Sequence, residues 1–515
     1  DLRLSRGLGD VYKRQNLNSS SVKFMTPFPV EALIVMESWD VLVLGDGPAA
    51  LRAAISAAEA GANPLLVSES SVGAASGLPP LSGFAASLNE TTPSSHIQDT
   101  ISAGGESTNE EAATRICSSA VENLAELERW GLVLRRSPDG SPHLSQLPGH
   151  SIARVAGCGD STVREVTRTL EEQTMKRKIN RRSDLLPVTL VMDNNQVRGI
   201  IALDIESGEL VPIQAKSVII ASQGYQGIWT TISHGAGNGL AISHAAGIKL
   251  GGMDSVPMHA LTISGTGTVL PMDILGSGGR IRKDSGEDAG PSEITDGESY
   301  VLDMRFMEKS SEGWFEGTIS KVLDRTGLDV RTEVIPLSPT IVATTGGIPV
   351  DARGRAVFDS GKMWYTGLYA AGRSAFTGMH GGHPLPGNLM LDGIVTGSEA
   401  GKDAAEWSST SLFGGAARME EELSVAQSRV DALFSSEGIP VGHAAKALST
   451  AMRLIDGNSD QSSLAVVQAS INEISASGIR VTDSSRRMNT ELASALHMEG
   501  LLEIARAISS QEEEE

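Results

Sequence analysis

The sequence predicts an α/β fold, and three observations predict it. A buried apolar strand runs directly into a glycine-rich turn and an alanine-rich helix. A run of alternating apolar and polar positions then occupies the middle of the chain. Stretches of helical period close it, beyond about residue 412.

The first observation is the stretch "WDVLVLGDGPAALRAAISAAEAGANPLLVSES", from Trp39 to Ser70. The strand "VLVLG" enters Gly45-Asp46-Gly47-Pro48-Ala49-Ala50, a helix follows, and a second apolar strand ends at Glu69. A G-x-G-x-x-A turn in that setting marks a Rossmann-like dinucleotide-binding unit. Gly45 permits the tight turn, Gly47 lets a diphosphate approach the backbone, and Ala50 lets helix and strand pack closely. The helix N-terminus offers free amides and partial positive charge to the phosphates. Glu69, about 20 residues on, is placed to accept hydrogen bonds from a ribose.

Further along, His96 to Leu132 reads as helical and closes on the glycine of "ERWG". "LPVTLVMDNNQVRGIIALDIESGELVPIQAKSVIIAS" alternates around Asn-Asn and Ser-Gly turns and reads as a β-meander feeding a buried strand. Residues from about 250 to 345 are mixed, and "GSGGRIRKDSGEDAGPSEITDGES" within them is expected to be a flexible surface loop. "GLYAAGRSA" returns to a buried strand and tight turn. The stretches "LSVAQSRVDALF", "HAAKALSTAMRLI", "LAVVQASINEIS" and "ELASALHMEGLLEIARAI" then predict a helical C-terminal domain, ending in an acidic tail.

Composition excludes several classes. At 515 residues the chain exceeds one core and suits about two or three domains. A hydrophobic share of 40% with 20% charged residues reads as globular and soluble. No apolar run approaches the roughly 18 residues of a membrane span, so no direct membrane insertion is expected. A net charge of -21 argues against nucleic acid, whose phosphates need a basic surface. Cys117 and Cys158 form neither a disulfide framework nor a thiolate metal site, which fits a reducing, cytoplasmic setting. Residues 1–35 are polar and aperiodic, and they resemble translated adapter sequence. They are set aside as an unstructured or non-native leader, with Met36 the expected natural start.

A longer series of motifs carries a family resemblance. "HIQDTISAGG", "LAELERWGLVLRRSPDG", "LPGHSIAR", "GNGLAISHAAGIKL", "VPMHALT", "TTGGIPVDARGRAV", "GLYAAGRSA", "GNLMLDGIVTGSEAG" and "DSSRRMNTELASALHMEGLLEIARAI" occur in order between Trp39 and Ile508. In them the chain resembles the flavoprotein subunit of succinate dehydrogenase and fumarate reductase, a family that includes L-aspartate oxidase. The resemblance implies a discontinuous Rossmann-like FAD-binding domain (36–240 and 346–411), an inserted α+β cap domain (241–345) and a helical C-terminal domain (412–508), with a tail at 509–515. It also implies hydride transfer between a small carboxylate and flavin, with electrons passed on to an iron–sulfur subunit. Any membrane link would be peripheral, through partner subunits.

Residue by residue, the resemblance assigns Gly45, Gly47, Pro48, Ala49 and Ala50 to the diphosphate loop. The run from Ser68 to Gly83, with Glu69, Ser76, Gly77, Ser82 and Gly83, would wrap the ribose and then the isoalloxazine. Ala221, Ser222 and Gly224 lie in "ASQG", where the family has "ATGG". Asn238 stands at a family aspartate, Gly372 and Arg373 at the "GE" of "AAGE", and Asn388, Leu389 and Met390 open the helix facing the flavin pyrimidine edge. His259 matches the cap-side histidine that contacts a substrate carboxylate.

Departures from the family pattern are as informative. Ser76 replaces the histidine that many members link covalently to FAD, so the flavin is expected to be noncovalent. Arg373 replaces a ribitol-binding glutamate, and Gln223 puts a side chain where backbone approaches closely. On the substrate side, Val342 stands at a second histidine, and Met272 and Gly276 at a threonine and an arginine. The proton-donating arginine has no clear counterpart; Arg280, Arg282 and Arg305 are the cations available nearby.

"HGGHPLPGN", His380 to Asn388, corresponds to the family's "HGANRLGGN". Pro384 therefore replaces the arginine that grips a carboxylate, and a proline has neither charge nor donor. His383 is the neighbouring group able to replace it in part when protonated. No metal is expected at His380 and His383, which lack a third ligand nearby, and His380 is expected to be buried and bonded to backbone. Asp273 is expected at the surface or at a helix cap; His150, His234 and His244 have no identifiable partners. Two other readings stay open: a catalytically inactive FAD-binding subunit with an assembly role, and an enzyme like L-aspartate oxidase.

Overall fold

The glycine turn at residues 45–47 sits where a central strand meets a helix in a computed structural model of the chain. The model describes residues 36–70, 82–89, 93–230, 235–293, 299–435, 437–455 and 461–510. Ser76, Gly77, His234, the leader at 1–35 and the final residues from 511 lie outside that set.

Strand β1 (Glu37–Leu44) feeds helix α1 (Pro48–Glu59), which returns to β2 (Pro64–Val67). β1 and β2 pair in parallel from Val41↔Pro64 to Leu44↔Val67. Further strands of the sheet are β3 (Asn180–Arg182), β4 (Leu185–Asp193), β5 (Gln196–Asp204), β6 (Leu210–Ile220), β7 (Arg355–Phe358) and β8 (Met363–Ala370). The order is β7-β8-β5-β6-β1-β2-β3, with β4 on β5. β4, β5 and β6 form the antiparallel meander. β6 changes neighbours along its length: Leu210 to Gln214 face β5, whereas Val218 to Ile220 pair in parallel with β8. Residues 363–370, far along the chain, thereby enter the same sheet as the N-terminal βαβ unit.

Two helices lock onto this sheet. Helix α2 (Asn238–Ala245) follows a second glycine-rich stretch, and α3 (Asn388–Thr410) follows "HGGHPLPG". α1 and α3 pack at very short range because small residues meet there. A Cβ added at Gly401 would lie 2.2 Å from the carbonyl oxygen of Ala53. Ala50, Ala53, Ala54 and Ala57 of α1 are fully buried, as are Leu391 and Ala400 of α3.

A second, six-stranded antiparallel sheet comprises Thr262–Ile263, Thr268–Val269, Arg280–Lys283, Asp288–Ala289, Tyr300–Asp303 and Ile335–Leu337. The chain passes into and out of this region through adjacent pairs, Gly251 with Gly347 and Met258 with Ile341. Here one expectation is corrected. The stretch from Gly276 to Ser299 is not one flexible loop, since Arg280–Lys283 and Asp288–Ala289 form a hairpin in the sheet. Ile281 goes into the core while the flanking arginines point outward and pair, an alternation too short to stand out among glycines. Residues 294–298 of the stretch lie outside the description.

The expected helix from His96 to Leu132 is also divided, into Ser94–Gly104, Glu110–Ser118 and Ala120–Arg129. Asn109 caps the second piece through the Ala112 amide, which is why the chain restarts there. Four helices end the chain: Ala417–Ala432, Val441–Met452, Gln461–Ser477 and α4 (Thr490–Ser509).

The turn at Gly45 leaves no room for a side chain. Its φ is +133°, and a Cβ there would lie 2.3 Å from the Ala221 carbonyl oxygen at the end of β6. Gly45→Ala is expected to cost on the order of 2 kcal/mol in urea unfolding; an unchanged midpoint would show that the turn tolerates a methyl group.

Candidate functional site

Two helix N-termini open into one crevice. α1 begins after Gly47 and α3 after Gly387, and neither has a side-chain cap or an acidic residue in its first turn. Their leading amides are therefore left for another acceptor. The crevice is open to solvent and spans about 730 Å³ of empty space, with Gly47, Pro48 and Ala49 on one wall and Leu389 and Met390 on another. Ser82, Ala221, Ser222, Gln223, Gly372 and Arg373 complete much of the lining.

Arg373 dominates the electrostatics of this crevice. Its Nη1 is buried and has no hydrogen-bond partner among the described residues. Burial lowers its pKa to about 10, and no anion among the described residues compensates. A buried guanidinium left without a carboxylate creates a strong demand for an anion. Asp46 lies in the opposite wall, its carboxyl pushed upward by burial and held by the Ser70 hydroxyl. The residues present thus fit a long anionic ligand whose charge meets two amide clusters and one guanidinium.

Other predicted residues support the walls rather than line them. Gly45 and Ala50 are the packing positions described above. Gly83 donates its amide to Asp273 Oδ2 at 3.1 Å. Gly224 packs against Thr344, whose hydroxyl accepts from the Tyr225 amide. Ser222 is tied to Ser374, with 3.1 Å between the hydroxyls. At the far end, Asn238 donates to Glu69 Oε1 at 3.2 Å and to the Pro187 carbonyl at 2.8 Å. Glu69 Oε2 in turn meets His497 Nε2 at 2.8 Å, a partner the sequence did not suggest.

"HGGHPLPGN" is a turn anchored from beneath. His150 Nε2 reaches the Pro386 carbonyl at 2.8 Å, and His96 Nε2 meets Asn388 Oδ1 at 2.8 Å. Thr100 accepts from Asn388 Nδ2, and the Gly387 amide donates to Ser82 Oγ at 2.7 Å. Behind His150 lies Arg154, fully buried, with Nη1 2.6 Å from Asp99 and 3.0 Å from His150 Nδ1. That contact makes Nδ1 the acceptor, so His150 carries its proton on Nε2 toward Pro386. Burial and the neighbouring Arg154 lower its pKa to about 4. His150 is therefore partnered, as is His244, whose Nδ1 lies 3.4 Å from the Ile248 carbonyl.

Several expectations for this region change. His380 is buried, but its neighbour is the Asp392 carboxylate at 3.4 Å rather than backbone. His383 is exposed, and among the described residues no three His, Cys, Asp or Glu side chains cluster to hold a metal. Arg280 and Arg282 are paired with Asp288, and Arg282 and Arg305 with Asp303, all within the second sheet. Asp273 is neither at the surface nor a helix cap. It is 5% exposed, and burial raises its pKa to about 7. His259 is buried with Nε2 2.8 Å from the Leu270 carbonyl, and desolvation lowers its pKa to about 4. Met272 and Val342, at two of the departing positions, are buried and apolar.

The comparisons with known proteins agree with this geometry. The FAD binding domain family model matches residues 40–301 and 301–390. The chain belongs to that FAD-binding family, in its succinate dehydrogenase and fumarate reductase branch. It is 26% identical to a succinate dehydrogenase flavoprotein subunit of Rickettsia bellii, over 92% of this chain and 87% of the relative. A fumarate reductase flavoprotein subunit of a Serratia species is 24% identical over 91% of this chain and 86% of its own. In fold, Escherichia coli quinol fumarate reductase superposes with a TM-score of 0.83 at 22% identity, covering 92% of this chain and 89% of its own. FAD is thus the cofactor of this flavoprotein, and its activity is that of an FAD-dependent oxidoreductase. No helix among the described residues is long and apolar enough to cross a membrane.

Asp273 gives this flavoprotein a testable titration. Its ordinary pKa is 3.8, against about 7 in the fold. Stability is therefore fully present below pH 3.8 and is lost as pH rises through 7. Asp273→Asn escapes that loss: it should match the parent near pH 4 and exceed it at pH 8 by on the order of 3 kcal/mol in urea unfolding. A difference constant across pH would assign the titration elsewhere.

Proposed function

We propose that this flavoprotein holds FAD noncovalently along the crevice and exchanges hydride between it and a small carboxylate, at a site without the family's dicarboxylate clamp. The observation that carries the reading is the guanidinium of Arg373, buried at Nη1, unpaired among the described residues, and facing the same space as two uncapped helices. The diphosphate is the part of FAD whose charge suits those groups. When bound, FAD supplies the two-electron redox chemistry.

In this reading the amide of Ala49 at the start of α1 receives the diphosphate, Pro48 having no N–H to give, and Arg373 neutralises it. Glu69 takes the ribose hydroxyls. Leu389 and Met390 present the α3 amides to the flavin ring, where a helix N-terminus stabilises negative charge on its reduced form. Ser76 has no imidazole to form the covalent link, so acid is expected to release the flavin. Domain limits at 36–240 with 346–411, 241–345 and 412–508 belong to the same proposal, as does onward electron transfer to an iron–sulfur subunit.

The substrate side is neutral and largely apolar. His259 is an uncharged imidazole near neutral pH, since its pKa is about 4. Pro384, Val342 and Met272 bring no cation. Asp273, with a pKa of about 7, is the buried group able to hold or release a proton there. A site of this kind favours one carboxylate over two, because each additional unpaired charge loses its hydration without compensation. The arginines tied to Asp288 and Asp303 favour a second reading, an FAD-binding subunit that no longer turns over and serves in assembly.

The purified protein should carry acid-releasable FAD, and anaerobic addition of short monocarboxylates should perturb its absorbance, whereas succinate, fumarate and aspartate should not. Reduction by succinate or aspartate would overturn the degenerate-site reading. Silence toward every carboxylate would favour the assembly subunit. Arg373→Met should weaken FAD binding by about 2 to 5 kcal/mol, with Lys restoring part of the loss; unchanged affinity would remove Arg373 from the diphosphate.

A further inference from the structure

The end of β2 and the C-terminal helix α4 meet at a cluster that the flavin chemistry leaves unexplained. Glu69, two residues beyond β2, is bound on both carboxylate oxygens: Oε1 accepts from Asn238 at 3.2 Å, and Oε2 lies 2.8 Å from His497 Nε2. Asn238 is buried and is itself fixed by the Pro187 carbonyl. The His497 side chain is only 15% exposed, between the buried residues Leu496 and Met498. Burial opposes its charge, yet Glu69 overrides that effect and holds the imidazole above its ordinary pKa.

We propose that His497 is a positioning residue for the adenosine ribose of FAD, orienting Glu69 from the C-terminal helix. The proposal rests on the reading above, in which Glu69 receives the ribose. A carboxylate offers about four acceptor sites. Asn238 and His497 use one on each oxygen, which leaves a site on each for the two vicinal hydroxyls of a ribose. A free glutamate at a strand end would rotate among rotamers, and ordering it would reduce binding. Here two donors from different elements, α2 and α4, have already fixed it. His497 also supplies the charge this end lacks. Asp46 and Glu69 lie close together, and the nearby cation, Arg181, is engaged by Glu171 at 3.4 Å. A protonated His497 donates to Glu69 Oε2 and leaves the carboxylate's other acceptor positions open to hydroxyl donors.

The test is binding of FAD, followed by flavin fluorescence, with ADP and 2′,3′-dideoxy-ADP as competitors. His497→Leu should weaken FAD and ADP by about ten-fold, the scale of one charge-assisted hydrogen bond. Dideoxy-ADP, which has no hydroxyls for Glu69, should bind parent and variant alike. His497→Gln, which keeps a donor, should recover most of the loss. Equal weakening of ADP and dideoxy-ADP would reduce His497 to a structural role and overturn the proposal, as would unchanged FAD affinity. Should the leucine variant fail to fold, His497→Phe keeps the ring without its nitrogens and is held to the same outcomes. If the parent binds neither FAD nor ADP, the cofactor reading itself falls; if the parent binds both and the variants match it, only the role of His497 does.

Discussion

The close approach of α1 and α3 is the constraint on which the rest of this molecule depends. Gly401 against Ala53, and Gly45 against the end of β6, bring two helices to the carboxyl ends of the parallel strands of one mixed sheet at backbone range. Their N-termini then open into a common crevice, and neither is neutralised by a cap or an acid. In a chain of net charge -21, that edge gathers positive partial charge. Any larger residue along the α1–α3 seam would separate the helices and divide the crevice.

The turn before α3 shows how such a site can keep its shape while its chemistry changes. His150, His96, Thr100 and Ser82 hold "HPLPGN" by four hydrogen bonds, none of which involves the side chain of position 384. In the proposed reading the proline there stands in for a charged residue, and the anchors do not depend on it. Arg154 is buried behind them, paired with Asp99, so its charge is used within the fold. In that reading a turn held from beneath can change residues on its other side, which would separate the geometry of the cofactor wall from the substrate chemistry proposed beside it.

Much of this was legible in the sequence because it rests on local pattern. The βαβ unit, the meander and the C-terminal helices each announce themselves through period and turn chemistry over a dozen residues or more. What escaped depends on contacts distant in the chain. Asp273 reads as a surface acid after "TVLPM", and only the approach of Gly83 shows it to be buried. His497 lies in a regular helix 428 positions from the glutamate it pairs with, and no spacing rule connects them. The hairpin at Arg280–Lys283 was hidden by glycines, since a strand of four residues offers too few alternations to recognise.

Charge placement argues for how the proposed cofactor and substrate divide the site. The cationic side chains of the second sheet are matched within it, Arg280, Arg282 and Arg305 against Asp288 and Asp303. Arg373, on the crevice wall formed with the diphosphate turn, has no carboxylate partner among the described residues. In the proposed reading a bound diphosphate would use that charge and the α1 amides together, leaving the substrate to a neutral histidine and a carboxyl that is itself partly protonated near pH 7. A dianion placed there would lose its hydration and gain no ion pair, whereas a monoanion or a neutral acid would lose far less. Selectivity in this flavoprotein would then arise from where Arg373 stands in the crevice, and less from the shape of the pocket.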